Sequence, residues 1–272
     1  MADRPAAPRI YALLGDPVER SGSPRIQNAA FAATGLAAEY RALRVTPAEL
    51  QPTLRRLAEA GGGGNVTAPY KQLAVGALDA PSEAVRRTGA VNTFWLGERG
   101  VHGDNTDVTG FRAALAHHGV DLGGRTVLLL GAGGAAAAVL LVLLEAGAKV
   151  TISNRSAERA RALLERLGAV ADVALTTSVT GRHFAAVVNA TSLGLRPGDP
   201  HPLPVEKLPD DAVVLDLVYA PGSTDWVRAA RAAGHHAYDG GEMLLRQAAA
   251  AFSLWTGLEA PLEAMRAAQA GR

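Results

Sequence analysis

The chain has no cysteine among its 272 residues. Disulfides and thiolate metal sites are therefore excluded. An excess of either charge is also missing: 27 basic residues stand against 26 acidic ones, a formal net charge of +1. That balance gives no electrostatic reason to expect nucleic acid or an anionic membrane as a partner. Metal-ligand spacing is absent too. The seven histidines include the pairs His117-His118 and His235-His236, which do not match zinc-site spacing and read as surface residues. The first nine residues hold no apolar signal-peptide core, so a soluble cytoplasmic protein is expected. The uncharged run from Thr126 to Leu144 is cut by Gly131, Gly133 and Gly134 into pieces too short to cross a bilayer. There are no repeats, and no low-complexity linker beyond the run Gly61 to Gly64.

What the chain does have is apolar material, 48% of its residues. Its length suits two modest domains, each with a real core. The pattern of elements is α/β. Arg9 to Leu14 and Tyr40 to Val45 read as strands. Ser23-Pro24 opens a helix to Thr34, with serine as cap and proline in the first turn. A second helix runs from Pro47 to Ala60 and is broken at Gly61 to Gly64. Asn65-Val66-Thr67 ends a short strand, and a helix is expected from about Tyr70. Ala90 to Leu96 and Val101 to Gly103 form a hairpin around Gly97 to Gly100. Asp107 to Gly119 is a helix connecting to a second domain, with Val108, Phe111, Ala114 and Leu115 at helical spacing.

The second domain opens on Val127 to Leu130, a strand without a polar interruption, as one buried on both faces should be. Gly131-Ala-Gly133-Gly134-Ala-Ala136 follows, then an alanine- and leucine-rich helix to Gly147. This is the strand, glycine turn and helix of a dinucleotide unit, with Ala136 in the third glycine position. The next strand, Lys149 to Ser153, ends in Asn154-Arg155. That pair stands about where the ribose-reading residue belongs. An arginine in place of an acid suits a 2′-phosphate, so NADPH is the expected cofactor. Ser156 caps a helix that Gly168 ends. Strands are expected at Ala185 to Ala190 and Ala212 to Val218, a helix at Thr224 to Ala233, and a short segment at His235 to Tyr238. Gly240-Gly241 is read as a hinge. Helices from Met243 to Gly257 and from Leu262 return to the first domain.

A nicotinamide domain needs a substrate-holding partner, and the cleft between the two is the expected active site. Three polar clusters in the first domain are candidates. Ser21-Gly-Ser23-Pro24 sits at a helix N-terminus, where a carboxylate is favoured. Asn65-Val-Thr67-Ala-Pro69-Tyr-Lys71 follows a strand. Gly103-Asp-Asn105-Thr106-Asp107 opens the connecting helix, which Thr106 and Asp107 would also cap. A lysine ammonium can stabilise the charge that builds on a ketone oxygen under hydride attack and supply its proton. No metal is needed.

These segments, together with Leu14-Gly15-Asp-Pro17-Val18, Gly89-Ala-Val-Asn92-Thr93, Asn189-Ala-Thr-Ser192, Asp216-Leu-Val-Tyr219 and Met243-Leu-Leu-Arg-Gln247-Ala-Ala, occur in fixed order. In that order they resemble the shikimate dehydrogenase family over nearly the whole chain. The resemblance implies reversible reduction of 3-dehydroshikimate to shikimate with NADPH. It implies a substrate-binding domain at 1–107, completed by about 242–272, and a Rossmann NADP-binding domain at 108–241. Lys71 and Asp107 match the catalytic pair. Ser21, Ser23 and Thr67 match residues around the substrate carboxylate, and Asn92, Asp107 and Gln247 those that hold ring hydroxyls. Tyr219 matches a further substrate-side residue. Cofactor contacts are implied at Gly131, Ala132, Gly133, Gly134, Ala135, Asn154, Ser156, Thr191 and Gly240. Arg155 and Arg159 match the 2′-phosphate clamp. A homodimer is left open.

The chain departs from the family pattern at Glu19-Arg20, commonly His-Ser, and at Gly241, usually leucine. A quinate/shikimate dehydrogenase and a non-catalytic NADPH-binding regulatory protein remain the alternatives.

Overall fold

The computed structural model describes residues 7–168, 173–175, 183–196 and 198–271, which include every candidate site residue. The chain divides into two units, Met1–Gly110 with Leu245–Arg272, and Phe111–Leu244.

The first unit is built on a six-stranded mixed sheet of order β2-β1-β3-β5-β6-β4. Strands β1 (Arg9–Gly15), β2 (Ala38–Arg44) and β3 (Gly63–Val66) are parallel. Strands β5 (Thr93–Gly97) and β6 (Gly100–Asp104) form the expected hairpin, antiparallel to each other and β5 antiparallel to β3. The two-residue strand β4 (Ala80–Pro81) adds parallel to β6. Helix α2 (Pro47–Glu59) starts at a capping box between Thr46 and Glu49, which satisfies backbone donors at its first turn. Its Leu50, Leu54 and Leu57 recur at helical spacing and enter the core with Leu14, Val66 and Phe94.

The glycine run does more than break a helix. Gly63 and Gly64 lie inside β3. A Cβ on Gly64 would stand 2.0 Å from the Ala12 carbonyl oxygen, and one on Gly62 1.9 Å from that of Ile10. Only residues without a side chain let β3 approach β1 this closely.

Two expectations need correction. Helix α1 (Ser23–Thr34) has Gly22 at its N-cap with no side-chain cap bond, so Ser23 is inside the helix rather than its cap. Ser21 supplies the acceptor instead: its Oγ takes the Ser23 N–H at 3.2 Å. The stretch after Tyr70 is one short 3₁₀ turn, Leu73–Ala77, not an α-helix. It contains Gly76 and meets β4 three residues later, which leaves no room for α-helical turns. Helix α3 (Glu83–Thr88), which follows β4, escaped the sequence pattern because it is so short.

Helices α8 (Gly241–Thr256) and α9 (Leu262–Ala270) return to the first unit as expected. There Trp255 meets Tyr11 at 5.0 Å between ring centroids, and Phe252 meets Phe31 at 5.8 Å. The Gln27 amide of α1 donates to the Ala248 carbonyl at 2.9 Å.

The second unit holds six parallel strands in the order β12-β11-β10-β7-β8-β9. These are β7 (Thr126–Leu130), β8 (Lys149–Ser153), β9 (Val173–Leu175), β10 (Ala186–Asn189), β11 (Val213–Asp216) and β12 (Ala237–Tyr238). The chain starts at the central β7, winds outward to β9, then restarts beside β7 and winds the other way. This is the doubly wound topology, with its switch point between β7 and β10. Helix α5 (Gly134–Glu145) is buried from Ala136 to Leu143, which explains its freedom from charge. Helix α6 (Ala157–Leu167) is capped by Ser156 and ends at Gly168, as expected. Helix α7 (Asp225–Ala232) is capped by Thr224 and buries Trp226, whose indole donates to Leu203. The chain passes between the units within α4 (Thr106–His117) and within α8. Among the described residues no helix is long and apolar enough to cross a membrane.

Candidate active site and cofactor cradle

In the first unit, Lys71 follows β3 by a turn and Asp107 lies in the first turn of α4. The Lys71 ammonium forms an ion pair with Asp107 Oδ2. Both are largely shielded, with side-chain exposures of 15% and 7%. The other carboxylate oxygen, Oδ1, accepts the Asn92 side-chain amide at 2.8 Å. Asn92 Oδ1 in turn lies 2.7 Å from the Thr106 backbone nitrogen and 3.0 Å from Thr93 Oγ. Gln247 Oε1 stands 3.5 Å from Asn92 Nδ2 and 3.4 Å from Thr106 Oγ. Thus Lys71, Asp107, Asn92 and Gln247, which are far apart in sequence, form one hydrogen-bonded group.

Ser21 and Ser23 form a second polar pair. Their hydroxyls are 3.2 Å apart, where Ser21 donates to Ser23. Thr67 belongs to neither set: its backbone bonds Leu14 and Tyr70, and its methyl group lies against Gly15. Three residues of the network carry no role in the sequence reading: Tyr40, and Asn65 and Thr93, which lie inside quoted motifs. Asn65 and Thr93 are directly paired across β3 and β5 and are 5% and 0% exposed. Buried polar residues inside strands need partners, and that signal could have singled them out.

In the second unit, the glycine turn lies at the switch point. Gly131 has φ +108°, and a Cβ there would stand 2.9 Å from the Ala190 carbonyl oxygen leaving β10. Gly133 caps α5 without a side-chain bond, and apart from its chain neighbours no atom of the described residues lies within 4 Å of the position its Cβ would take. The helix therefore presents backbone N–H groups to open space, flanked by half-buried Ala132, Gly134 and Ala135. This is a cradle for a phosphate. Asn154 closes the next turn by donating to the Ser156 carbonyl at 2.7 Å. Arg155 and Arg159 are exposed, and neither guanidinium is paired with a carboxylate among the described residues. Two unpaired cations beyond a glycine turn fit a dinucleotide with a 2′-phosphate.

Thr191 is held from below. Its Oγ donates to Asn189 Oδ1 at 2.7 Å, and Asn189 Nδ2 donates to Asp216 at 2.8 Å. Burial pushes the Asp216 carboxyl up to about 6, against bonds from Thr224, Asn189 and the Val218 N–H. Tyr219 is half-buried in the second unit, just past β11. Gly240 has a packing role: its N–H bonds Val218, and a Cβ would stand 2.1 Å from the Leu217 carbonyl oxygen.

Residues 13–94 match the shikimate dehydrogenase substrate binding domain, residues 114–192 the shikimate / quinate 5-dehydrogenase family, and residues 240–268 the shikimate 5′-dehydrogenase C-terminal domain. A shikimate dehydrogenase (NADP(+)) of Methanothrix thermoacetophila is 42% identical, over 96% of each chain. A crystal structure of shikimate 5-dehydrogenase from Thermus thermophilus, in complex with NADP(H) and shikimate, superposes with a TM-score of 0.86 at 39% identity, covering 96% of this chain and 98% of that one. A quinate dehydrogenase from Corynebacterium glutamicum, in complex with NAD, is also similar, with a TM-score of 0.84 at 32% identity over 96% and 98% of the two chains. With site geometry, family models and identity agreeing along its length, the chain belongs to the shikimate dehydrogenase family.

Proposed function

We propose that this protein catalyses the reversible, NADPH-dependent reduction of 3-dehydroshikimate to shikimate. The observation that carries the reading is the shielded Lys71–Asp107 pair, with Asn92 and Gln247 hydrogen-bonded around it. Lys71 faces the carbonyl oxygen, stabilises the negative charge that develops there and delivers the proton that makes it a hydroxyl. In the reverse direction a neutral Lys71 takes that proton back. Asp107 orients the ammonium through Oδ2 and is braced by Asn92 at Oδ1. Asn92, Asp107 and Gln247 hold ring hydroxyls. Ser21, Ser23 and Thr67 hold the carboxylate at the start of α1, and Tyr219 is a further substrate contact.

NADPH, when bound, supplies the hydride. Residues 131–135 receive its pyrophosphate at the α5 N-terminus, with Thr191 and Gly240 as further contacts. Asn154 and Ser156 shape the ribose turn, while Arg155 and Arg159 clamp the 2′-phosphate. The domains are assigned as 1–107 with 242–272, and 108–241; the extents of the family matches support that division. A cytoplasmic location completes the proposal, and the homodimer stays open. The test is shikimate-dependent reduction of NADP⁺, followed by NADPH absorbance. Absence of turnover with shikimate, while NADPH still binds, would leave a non-catalytic binding protein in its place.

A further inference from the structure

The buried polar groups around Asn92 are arranged so that each amide has only one possible orientation. The Asn92 backbone carbonyl can only accept, and the Asn65 side chain meets it at 2.9 Å. The Asn65 atom there must be Nδ2, which leaves Oδ1 to accept the Tyr40 hydroxyl at 2.7 Å. The same Nδ2 donates to Thr93 Oγ at 2.9 Å. The Thr106 backbone N–H can only donate, and it meets the Asn92 side chain at 2.7 Å. The Asn92 atom there must be Oδ1, so Nδ2 faces Asp107.

The two threonine hydroxyls bring one proton each. Thr93 already accepts from Asn65, so its proton goes to Asn92 Oδ1 at 3.0 Å or to Thr106 Oγ at 3.0 Å. Thr106 has Asn92 Oδ1 at 3.1 Å and Gln247 Oε1 at 3.4 Å. The assignment that satisfies most acceptors sends the Thr93 proton to Asn92 and the Thr106 proton to Gln247. Thr93 and Thr106 are both 0% exposed, and Tyr40 is 2% exposed. In such a dry setting every unmade bond is costly, so the pattern is strongly enforced.

We infer that Thr93 and Thr106 are positioning residues. Their hydroxyls bond Asn92 Oδ1 and Gln247 Oε1 and so hold the two amides at the angles at which they are to meet the ring hydroxyls. The inference rests on the proposed roles of Asn92 and Gln247. It concerns groups that touch neither substrate nor cofactor and act through the two amides.

Thr93→Val and Thr106→Val keep shape and remove only the hydroxyl. Each is expected to lower kcat/KM for shikimate by about tenfold, the size of one buried hydrogen bond. KM for NADP⁺ should stay within about twofold, because the cofactor groups belong to other residues. Thr93→Ser and Thr106→Ser restore the hydroxyl and should recover activity to within about threefold. If a valine variant does not fold, alanine at the same position gives the same comparison with serine. Wild-type kcat/KM in the hydroxyl-free variants would overturn the inference. So would loss of Tm and of NADP⁺ affinity in step with kcat/KM, without rescue by serine. Asn92→Ala separates the two levels. If it is impaired while the hydroxyl-free variants are not, only the positioning role falls. If it matches wild type, the substrate role of Asn92 falls and the inference falls with it.

Discussion

Asn189 donates its side-chain amide to the Asp216 carboxylate across 2.8 Å and so ties the ends of β10 and β11 together. The bond lies below the chain that carries Thr191, and Asp216 also holds the cap residue of α7, Thr224, at 2.8 Å. Burial keeps the Asp216 carboxyl at about 6, above its ordinary 3.8. Between those values the folded protein holds a proton that the unfolded chain has released. The stability contribution is therefore fully present below 3.8 and lost as pH rises through about 6. At about 1.4 kcal/mol per pKa unit, its size is on the order of 3 kcal/mol. Asp216→Asn keeps the shape and cannot ionise. The stability of wild type relative to this variant should be greater at acid pH than at neutral pH, measured by denaturant unfolding. A difference constant across that window would mean Asp216 does not titrate there.

Lys71→Ala should remove chemistry more than binding. The expected loss in kcat is on the order of 10²–10⁴, the usual range for one general acid–base group. KM for shikimate should change far less, because Asn92, Gln247 and the two serines remain. A variant that keeps more than about a third of wild-type kcat would remove Lys71 from the mechanism.

The cofactor residues and the substrate residues differed in how far sequence could expose them. The cofactor side was legible because its logic is local: strand, glycine turn, helix and arginine follow one another in the chain. Ser156 as cap and Gly168 as terminator follow from short-range rules that the structure obeys. The substrate side depends on contacts across long separations. Asn65, Thr93 and Thr106 look like ordinary strand and cap residues until β3, β5 and α4 are brought together. The glycine run was read as a helix breaker because nothing in the sequence shows how closely β3 lies against β1. The serine cap failed for the opposite reason. The local rule was sound, but the helix starts one residue earlier with Gly22 as its cap, and the Ile26 N–H that a Ser23 cap would take goes to the Gly22 carbonyl.

Cofactor choice should rest on Arg155, with Arg159 in support. Charge-assisted bonds to a 2′-phosphate contribute roughly 1.5–3 kcal/mol each. Both guanidiniums are exposed and have no carboxylate partner among the described residues, so neither has to be released before binding. Arg155→Ala should raise KM for NADPH by about tenfold or more and leave the use of NADH nearly unchanged. A wild-type enzyme that prefers NADH would overturn the assignment of Asn154-Arg155.

Shikimate should be preferred to quinate, although structures of both kinds of dehydrogenase superpose on this chain. The two substrates share the ring hydroxyls that Asn92, Asp107 and Gln247 would hold. They differ at the carbon bearing the carboxylate, which in quinate is tetrahedral and carries a further hydroxyl. That end is assigned to Ser21 and Ser23. Ser21 Oγ is already committed, accepting the Ser23 N–H and donating to Ser23 Oγ, and Ser23 is 6% exposed. A planar unsaturated carboxylate can accept from Ser23 without disturbing this pair. An added hydroxyl would crowd one serine or leave a buried polar group unpaired, at a cost on the order of 1–3 kcal/mol. Of the departures from the family pattern, Glu19 folds onto the Val18 N–H at 3.1 Å and Gly241 opens α8. The Glu19 bond leaves both serine hydroxyls untouched. The value of kcat/KM should therefore be about tenfold or more higher for shikimate. Steady-state kinetics with both substrates decides the matter: equal values would reassign the chain as a quinate/shikimate dehydrogenase.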